Sequence, residues 1–145
     1  MELTMEDVFQ NKDSIMISEE NRLKSFAWWP FNSGPCVKEE MAKAGFYHCN
    51  EGEHSDHVRC FCCFKELDNW SEDDQPFKEH IKHSKECAFA KIGKQQSTLS
   101  CSELLSILEA REVNKSNKIL DKAMEKWSVL DEKEEKVLVS KKFSK

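Results

Sequence analysis

The chain has 145 residues, room for one domain of ordinary size and an extension but hardly for two hydrophobic cores. With 39% hydrophobic and 34% charged residues and a mean hydropathy of -0.70, it is more polar than a compact domain needs, so some segment is expected to be mostly solvated. A net charge of -5 argues against the clustered cationic face of a nucleic-acid binder and favours cationic partners, and no stretch approaches the roughly 20 apolar residues of a membrane span.

The first residues, MELTMED, lack the basic start and apolar run of a signal peptide, so a soluble chain in a reducing compartment is expected. There, seven cysteines serve metal ligation better than disulfides. Residues 1–17 read as an N-terminal arm carrying the short amphipathic run Leu3, Met5, Val8 and Phe9. Ser18 stands as N-cap to EENRLKSF, where Arg22, Leu23 and Phe26 fall at helical spacing, and Trp29 with Pro30 closes the element. KEEMAKAG predicts a second short helix with Gly45 at its C-terminal end. From Phe46 to Trp70 the pattern turns aromatic and β-favouring, with VRCF and FKEL around the polar loop NEGEHSD, which predicts a small antiparallel sheet. Pro76, behind the candidate caps Asp74 and Gln75, opens PFKEHIKH as one or two turns of helix that bring His80 up to the sheet.

After Phe89 the polar stretch KIGKQQST is the best boundary. Ser100 and Glu103 have capping-box spacing, and Leu104, Leu105, Leu108, Ala123, Met124, Trp127, Leu130, Val137 and Leu138 then recur at threes and fours, predicting a helix of about 40 residues. Its middle, EAREVNKSNK, is almost wholly polar and is expected to fray or to pack on a partner. Leu104, Leu108, Met124, Trp127 and Leu130 are the residues expected to face partner helices. The layout is an α+β chain with an arm at 1–17, a cysteine-bearing domain at 18–90, a connector at 91–99 and a long helix at 100–142.

Zinc takes four ligands in a tetrahedron, and a C-x-x-C pair supplies two thiolates from one tight turn. Cys60 and Cys63 form that pair, His80 follows after 16 residues, and Cys87 after six more. One unbroken helix from 80 to 87 would hold its two ligands about 10 Å apart along the axis, so the helix is expected to end near His83 or Ser84 and the chain to turn back with Cys87. His83 is the competing fourth ligand, though H-x2-H is shorter than the spacing of two-histidine fingers. Cys62 is a slipped-register competitor within the pair, and Cys36, Cys49 and Cys101 read as ordinary semi-buried thiols. Four protein ligands leave no open coordination position, so one structural zinc is predicted rather than a water-activating ion, and with it a recognition module rather than an enzyme.

These residues sit in a pattern that resembles a baculoviral inhibitor-of-apoptosis repeat, the BIR domain. It runs through Arg22, Leu23, Phe26, Trp29, Pro30, Ala44, Gly45, Phe46, Val58, Arg59, the Cys60 to Cys63 turn, Leu67, Trp70, Asp74, Pro76, Glu79, His80, His83, Cys87, Ala88 and Phe89. The resemblance covers about residues 18 to 90 and is far more specific than the metal spacing. It implies a short three-stranded antiparallel sheet with surrounding helices. One repeat followed by a long helix resembles the survivin-like branch of the family, which serves the chromosomal passenger complex. Repeats that bind caspases or their antagonists usually carry glycines after the second zinc cysteine, whereas here Phe64, Lys65, Glu66 and Leu67 follow Cys63. Gln96 and Cys101 stand where that branch tends to have larger apolar residues in a dimer-forming connector, which leaves a homodimer open. Gln75 replaces a usual acid before Pro76, and Asp74 remains for the family's main acidic role.

BIR domains typically read a free N-terminus beginning with alanine, laid along the sheet edge. Leu67 and Trp70 would wall a small apolar pocket, and Asp68 and Asp74 would accept the α-ammonium. The plainer roles are core packing for Trp70 and helix capping for Asp74. Lys65 and His83 match positions that contact a phosphothreonine near the start of the histone tail. The partners this implies are the helices of borealin and the inner centromere protein, Aurora kinase through their complex, and the histone N-terminal tail. The implied location is nucleus and cytoplasm, with chromosome, centromere and spindle in mitosis. A caspase-binding or caspase-antagonist-binding inhibitor of apoptosis is the first rival, and a nucleic-acid-binding finger a remote second.

Overall fold

A computed structural model of the chain describes residues 12–50, 52 and 55–142. The amphipathic run Leu3, Met5, Val8 and Phe9 therefore lies outside the described residues. Helix α1 (Lys12–Ile15) leads into α2 (Glu19–Ser25), α3 (Lys38–Lys43) and a sheet of β1 (Phe46–His48), β2 (Val58–Cys60) and β3 (Glu66–Leu67). The sheet is antiparallel in the order β1-β2-β3, with Phe46 opposite Cys60 and Val58 opposite Leu67. Helices α4 (Pro76–His83) and α5 (Ala88–Ile92) follow, then a 3-10 turn at Gln96–Thr98 and α6 (Cys101–Lys142). No helix among the described residues is long and apolar enough to cross a membrane.

Helix α2 starts where its sequence says it should but ends at Ser25, short of Trp29 and Pro30. The backbone at Ser18 is extended and its carbonyl accepts from the Arg22 N–H at 3.0 Å, although its hydroxyl makes no cap bond. After α3 the chain reverses at Gly45, whose φ is +93° and where a Cβ would stand 2.8 Å from the Phe89 ring. Only glycine meets both conditions, which places β1 directly against the ring cluster. That cluster is the core: Phe26, Trp29, Met41, Phe46, Val58, Phe61 and Phe89 are buried together. Phe61 and Phe89 meet edge-on at 5.0 Å and Phe46 meets Trp70 at 5.5 Å, the geometry that aromatic quadrupoles favour.

Two cations lie inside this core, and neither is evident from local pattern. Arg22, which the sequence marks by helical period and by the BIR resemblance, is 0% exposed. Its guanidinium donates to the carbonyls of Ala42 (3.0 Å), Met16 (3.0 Å) and Ile17 (2.8 Å) and to Gln96 Oε1 (3.0 Å), and lies 4.4 Å from the centroid of Phe61. Burial holds its pKa down to about 10, and the ring of acceptors compensates the lost hydration. Gln96 Oε1 also accepts from the Glu19 N–H at 3.1 Å, so the side chain that departs from the resembling branch is used within this chain. Arg111 on α6 is 2% exposed and donates to the Asp13 carbonyl at 3.3 Å. Asp13 is itself buried and accepts from the Tyr47 hydroxyl at 2.5 Å, so it touches both the sheet and the long helix, while Met16 and Ile17 hold Arg22 of α2.

Helix α6 is 42 residues long, about 63 Å at 1.5 Å per residue. Its capping box is complete: Ser100 Oγ accepts from the Glu103 N–H at 3.1 Å and Glu103 accepts from the Ser100 N–H at 2.8 Å. The polar middle was expected to fray or to need a partner. Instead its first part packs on this chain's own domain through Ile107, Arg111 and Asn114. Leu104 and Leu108 are half-buried there, whereas Met124, Trp127 and Leu130 are exposed. Two thiols also differ from expectation: Cys36 is fully buried and Cys101 is exposed, while Cys49 is intermediate.

Ser100→Ala should destabilise the protein by about 1 kcal/mol, read as a lower urea midpoint; an unchanged midpoint would show that the box adds nothing. Lys94 and the Ser100 N–H hold the Glu103 carboxyl below its ordinary range. A depressed carboxylate stabilises above its unfolded pKa and loses that contribution as pH falls through the folded one. Acid should therefore loosen the start of α6 in the wild type more than in Glu103→Gln, as hydrogen exchange there would show.

Candidate metal centre and peptide cleft

The metal centre is assembled from a turn, a helix and a reversal. Cys60 ends β2, and the chain turns through Cys63, with the N–H groups of Cys62 and Cys63 pointing at Cys60 Sγ at 3.3 and 3.5 Å. Helix α4 ends at His83, with the Ser84 N–H on the His80 carbonyl (2.8 Å) and the Cys87 N–H on the Ser84 carbonyl (3.1 Å). That single turn is what brings Cys87 back. His80 Nδ1 lies 2.8 Å from the Ala44 carbonyl, which makes it the protonated nitrogen and leaves Nε2 free to ligate.

The donor atoms of Cys60, Cys63, His80 and Cys87 lie within 4.8 Å of one another. Cys60 Sγ and Cys87 Sγ are 4.0 Å apart, and Cys63 Sγ is 3.5 Å from His80 Nε2. A tetrahedral zinc with Zn–S near 2.3 Å and Zn–N near 2.0 Å requires edges of about 3.8 and about 3.5 Å, so the set fits. Burial pushes the Cys60 thiol well up, whereas hydrogen bonds from Cys60, Cys62 and Cys63 push Cys87 far down. Burial works against the His80 imidazolium, yet the neighbouring Cys63 and Cys87 sulfurs raise it to about 9. Three sulfurs this close share protons unless a cation neutralises them, and zinc is such a cation. Cys62 does not join: its Sγ lies 3.8 Å from the Ile107 carbonyl. His83 also stands apart, 44% exposed and paired with Glu79 at 3.3 Å.

A cleft of about 280 Å³ lies beside the centre, lined by Leu67, Asp68, Asn69, Trp70, Asp74, Glu79, Lys82 and His83. Five of the six residues expected to bind peptide line it; Lys65 does not and is exposed just before β3. Trp70 is 8% exposed and its ring stands against Phe46 and Trp29, so it does pack in the core. Its Nε1–H nevertheless meets no hydrogen-bond partner among the described residues, a buried donor that leaves room for a ligand's acceptor. Asp74 Oδ2 accepts from the Ser71 N–H at 2.7 Å, so it closes a turn rather than capping α4, whose N-cap is Gln75. Asp68 is exposed and accepts from Asn69. Sequence reading missed Asn69, Glu79 and Lys82 as cleft residues. Glu79 and Lys82 flank His80 and His83 at helical offsets, a signal that was there to use.

The sequence matches the BIR family, the Inhibitor of Apoptosis domain, over residues 22–91. Baculoviral IAP repeat-containing protein 5 of Cavia porcellus is 46% identical over 67% of this chain and 69% of its own length. The protein of that name in Rattus norvegicus is 44% identical over 69% and 71%, and protein 5.2 of Xenopus tropicalis 40% identical over 73% and 69%. Among solved structures, the crystal structure of DIAP1 BIR1 bound to a Grim peptide is 35% identical, covering 51% of this chain and 71% of that one with a TM-score of 0.44. BIR domains bind one zinc, and Cys60, Cys63, His80 and Cys87 are the residues that would hold it here. By its matched segment and by relatives that it covers over two thirds of their length, the chain belongs to the Inhibitor of Apoptosis domain (BIR) family and is survivin-like.

Proposed function

We propose that this chain is a non-enzymatic adaptor that captures a peptide N-terminus with its zinc domain and joins partner helices with α6. The domain boundaries at 18–90 and 100–142 belong to the same proposal. The observation that carries it is the cleft: a Trp70 N–H with no partner among the described residues and the apolar Leu67 beside the carboxylates of Asp68, Asp74 and Glu79. A peptide's terminal ammonium meets negative charge there, a carbonyl meets the indole donor, and a small side chain meets Leu67 and Trp70. Strand β3 ends the sheet order, so a ligand can pair along its outer edge.

The ligand we favour is the histone N-terminal tail, phosphorylated a few residues in. His83 and Lys82 at one end of the cleft, with Lys65 nearby in sequence, offer the cations, and Glu79 pairs with both His83 and Lys82. The phosphate has to displace that carboxylate, so its contribution should be smaller than that of the terminal amine. Through α6 the chain would join borealin and inner centromere protein helices, and through them Aurora kinase. Its place would be nucleus and cytoplasm, then chromosome, centromere and spindle in mitosis.

Calorimetry with histone-tail peptides tests the reading. Acetylating the peptide's N-terminus should weaken binding about tenfold or more, because a charge-assisted contact of roughly 1.5–3 kcal/mol is lost. Removing the phosphate should weaken it less, and His83→Ala with Lys65→Ala should erase the phosphate preference while leaving the zinc content unchanged. Equal affinity for free and acetylated tails would overturn N-terminal capture. Tighter binding to a caspase-antagonist terminus than to either tail would favour the apoptotic reading.

A further inference from the structure

The turn that carries Cys60 and Cys63 holds a conformation that its own residues resist. It is closed by the Phe64 N–H on the Cys60 carbonyl and the Cys60 N–H on the Lys65 carbonyl, both at 3.0 Å. These bonds place Phe64, directly after the second thiol, at φ +58°. That left-handed region is free to glycine and strained for a bulky aromatic residue, so something beyond the turn must hold it.

The long helix is what touches it. Asn114 Nδ2 donates to the Cys62 carbonyl at 3.0 Å, between the two ligands. The Arg111 guanidinium lies 5.4 Å from the centroid of the Phe64 ring. The fully buried Ile107 completes the stripe, its carbonyl 3.8 Å from Cys62 Sγ. Positions 107, 111 and 114 share one helix face, so a single docked surface addresses the turn at three points. Arg111 is anchored in turn by Asp13 and Glu112.

We propose that Asn114 and Arg111 are positioning residues of the metal centre: docked α6 holds the strained Cys60–Phe64 turn in its metal-binding shape, so zinc retention depends on the long helix. Neither residue reaches the ion. Asn114 fixes the peptide between the ligands and Arg111 fixes the ring whose backbone is strained, which sets how readily the two thiolates swing away together. Outer contacts of this kind commonly change metal affinity by 10–100-fold. The coupling also runs the other way, since loss of metal frees the turn and with it the seat of α6.

The test uses the full zinc-loaded chain and measures zinc release to a colorimetric chelator without denaturant, with the ligand-field spectrum of the cobalt-substituted protein alongside. Asn114→Ala and Arg111→Ala should each release zinc about tenfold faster and shift the cobalt bands. Ser100→Ala loosens the start of the same helix without touching the turn, and should release at the wild-type rate with an unshifted spectrum. If Arg111→Ala fails to fold, Asn114→Ala, which deletes one half-buried amide, decides alone. Release by Asn114→Ala no faster than by Ser100→Ala, or an unshifted cobalt spectrum, would show that the helix merely docks and overturn the proposal.

Discussion

Replacing Cys87 with serine should abolish stoichiometric zinc and with it cooperative unfolding, while His83→Ala should leave both intact. The size of the effect follows from what the metal contributes. A structural zinc site supplies roughly 10–16 kcal/mol that is at once binding and folding energy, whereas a domain of this size has a net stability of about 5–15 kcal/mol. The two are of the same size, so a domain without its ion has little left to hold it. The reason is visible in the core: Cys60 and Cys87 are buried with the aromatic cluster, so an ion held by the four residues would tie β2, α4 and the chain before α5 into one unit. Metal analysis with thermal melts under a chelator is the measurement. Folded, cooperative Cys87→Ser protein, or zinc loss in His83→Ala, would mean that the fourth ligand is misassigned.

On the proposal that α6 joins borealin and inner centromere protein helices, Trp127→Glu with Leu130→Glu should abolish co-purification with them and leave zinc content and the melting of the BIR domain unchanged. Trp127 is 63% exposed, and Leu120, Met124, Leu130, Val137 and Leu138 share its side of α6 or adjoin it, all more than half exposed. A stripe of that length facing water suits another helix, because helices of this kind draw their stability from packing an apolar face. Burying two carboxylates in a dry helical interface leaves unpaired charge where hydrocarbon contact is needed, a loss of several kcal/mol and thus of a thousandfold or so in affinity. The domain is insulated because Trp127 and Leu130 are exposed and lie well beyond Asn114, which meets the domain at Cys62. Co-expression and pull-down give the answer: a double variant that co-purifies as well as the wild type would remove α6 as the docking surface.

What the amino-acid order determined by itself is whatever depends on neighbours in the chain. Pro76 and the run behind it set α4 at Pro76–His83, Ser100 with Glu103 set the start of α6, and the C-x2-C-x16-H-x6-C spacing set the four metal ligands against His83 and Cys62. Each is a matter of helical period, capping chemistry or turn length, and these act over a few residues. The tertiary structure alone decided which polar residues go inside. Arg22 is buried because Gln96 arrives from 74 positions away, Arg111 because Asp13 meets it across 98, and Asn114 seats itself on Cys62 across 52. Nothing in the periodicity of EAREVNKSNK distinguishes a solvated stretch from one whose arginine and asparagine satisfy a distant backbone. A polar side chain is stable inside only when its acceptors are brought to it, and apart from the Gln96 amide those acceptors are main-chain carbonyls that carry no signature in the residue types around them. The cleft shows the same division: Leu67, Trp70 and Asp74 were legible in sequence, as was the local pairing of Glu79 with Lys82 and His83 along α4, whereas only the folded chain shows that this trio lines one cleft with Leu67 and Asp68.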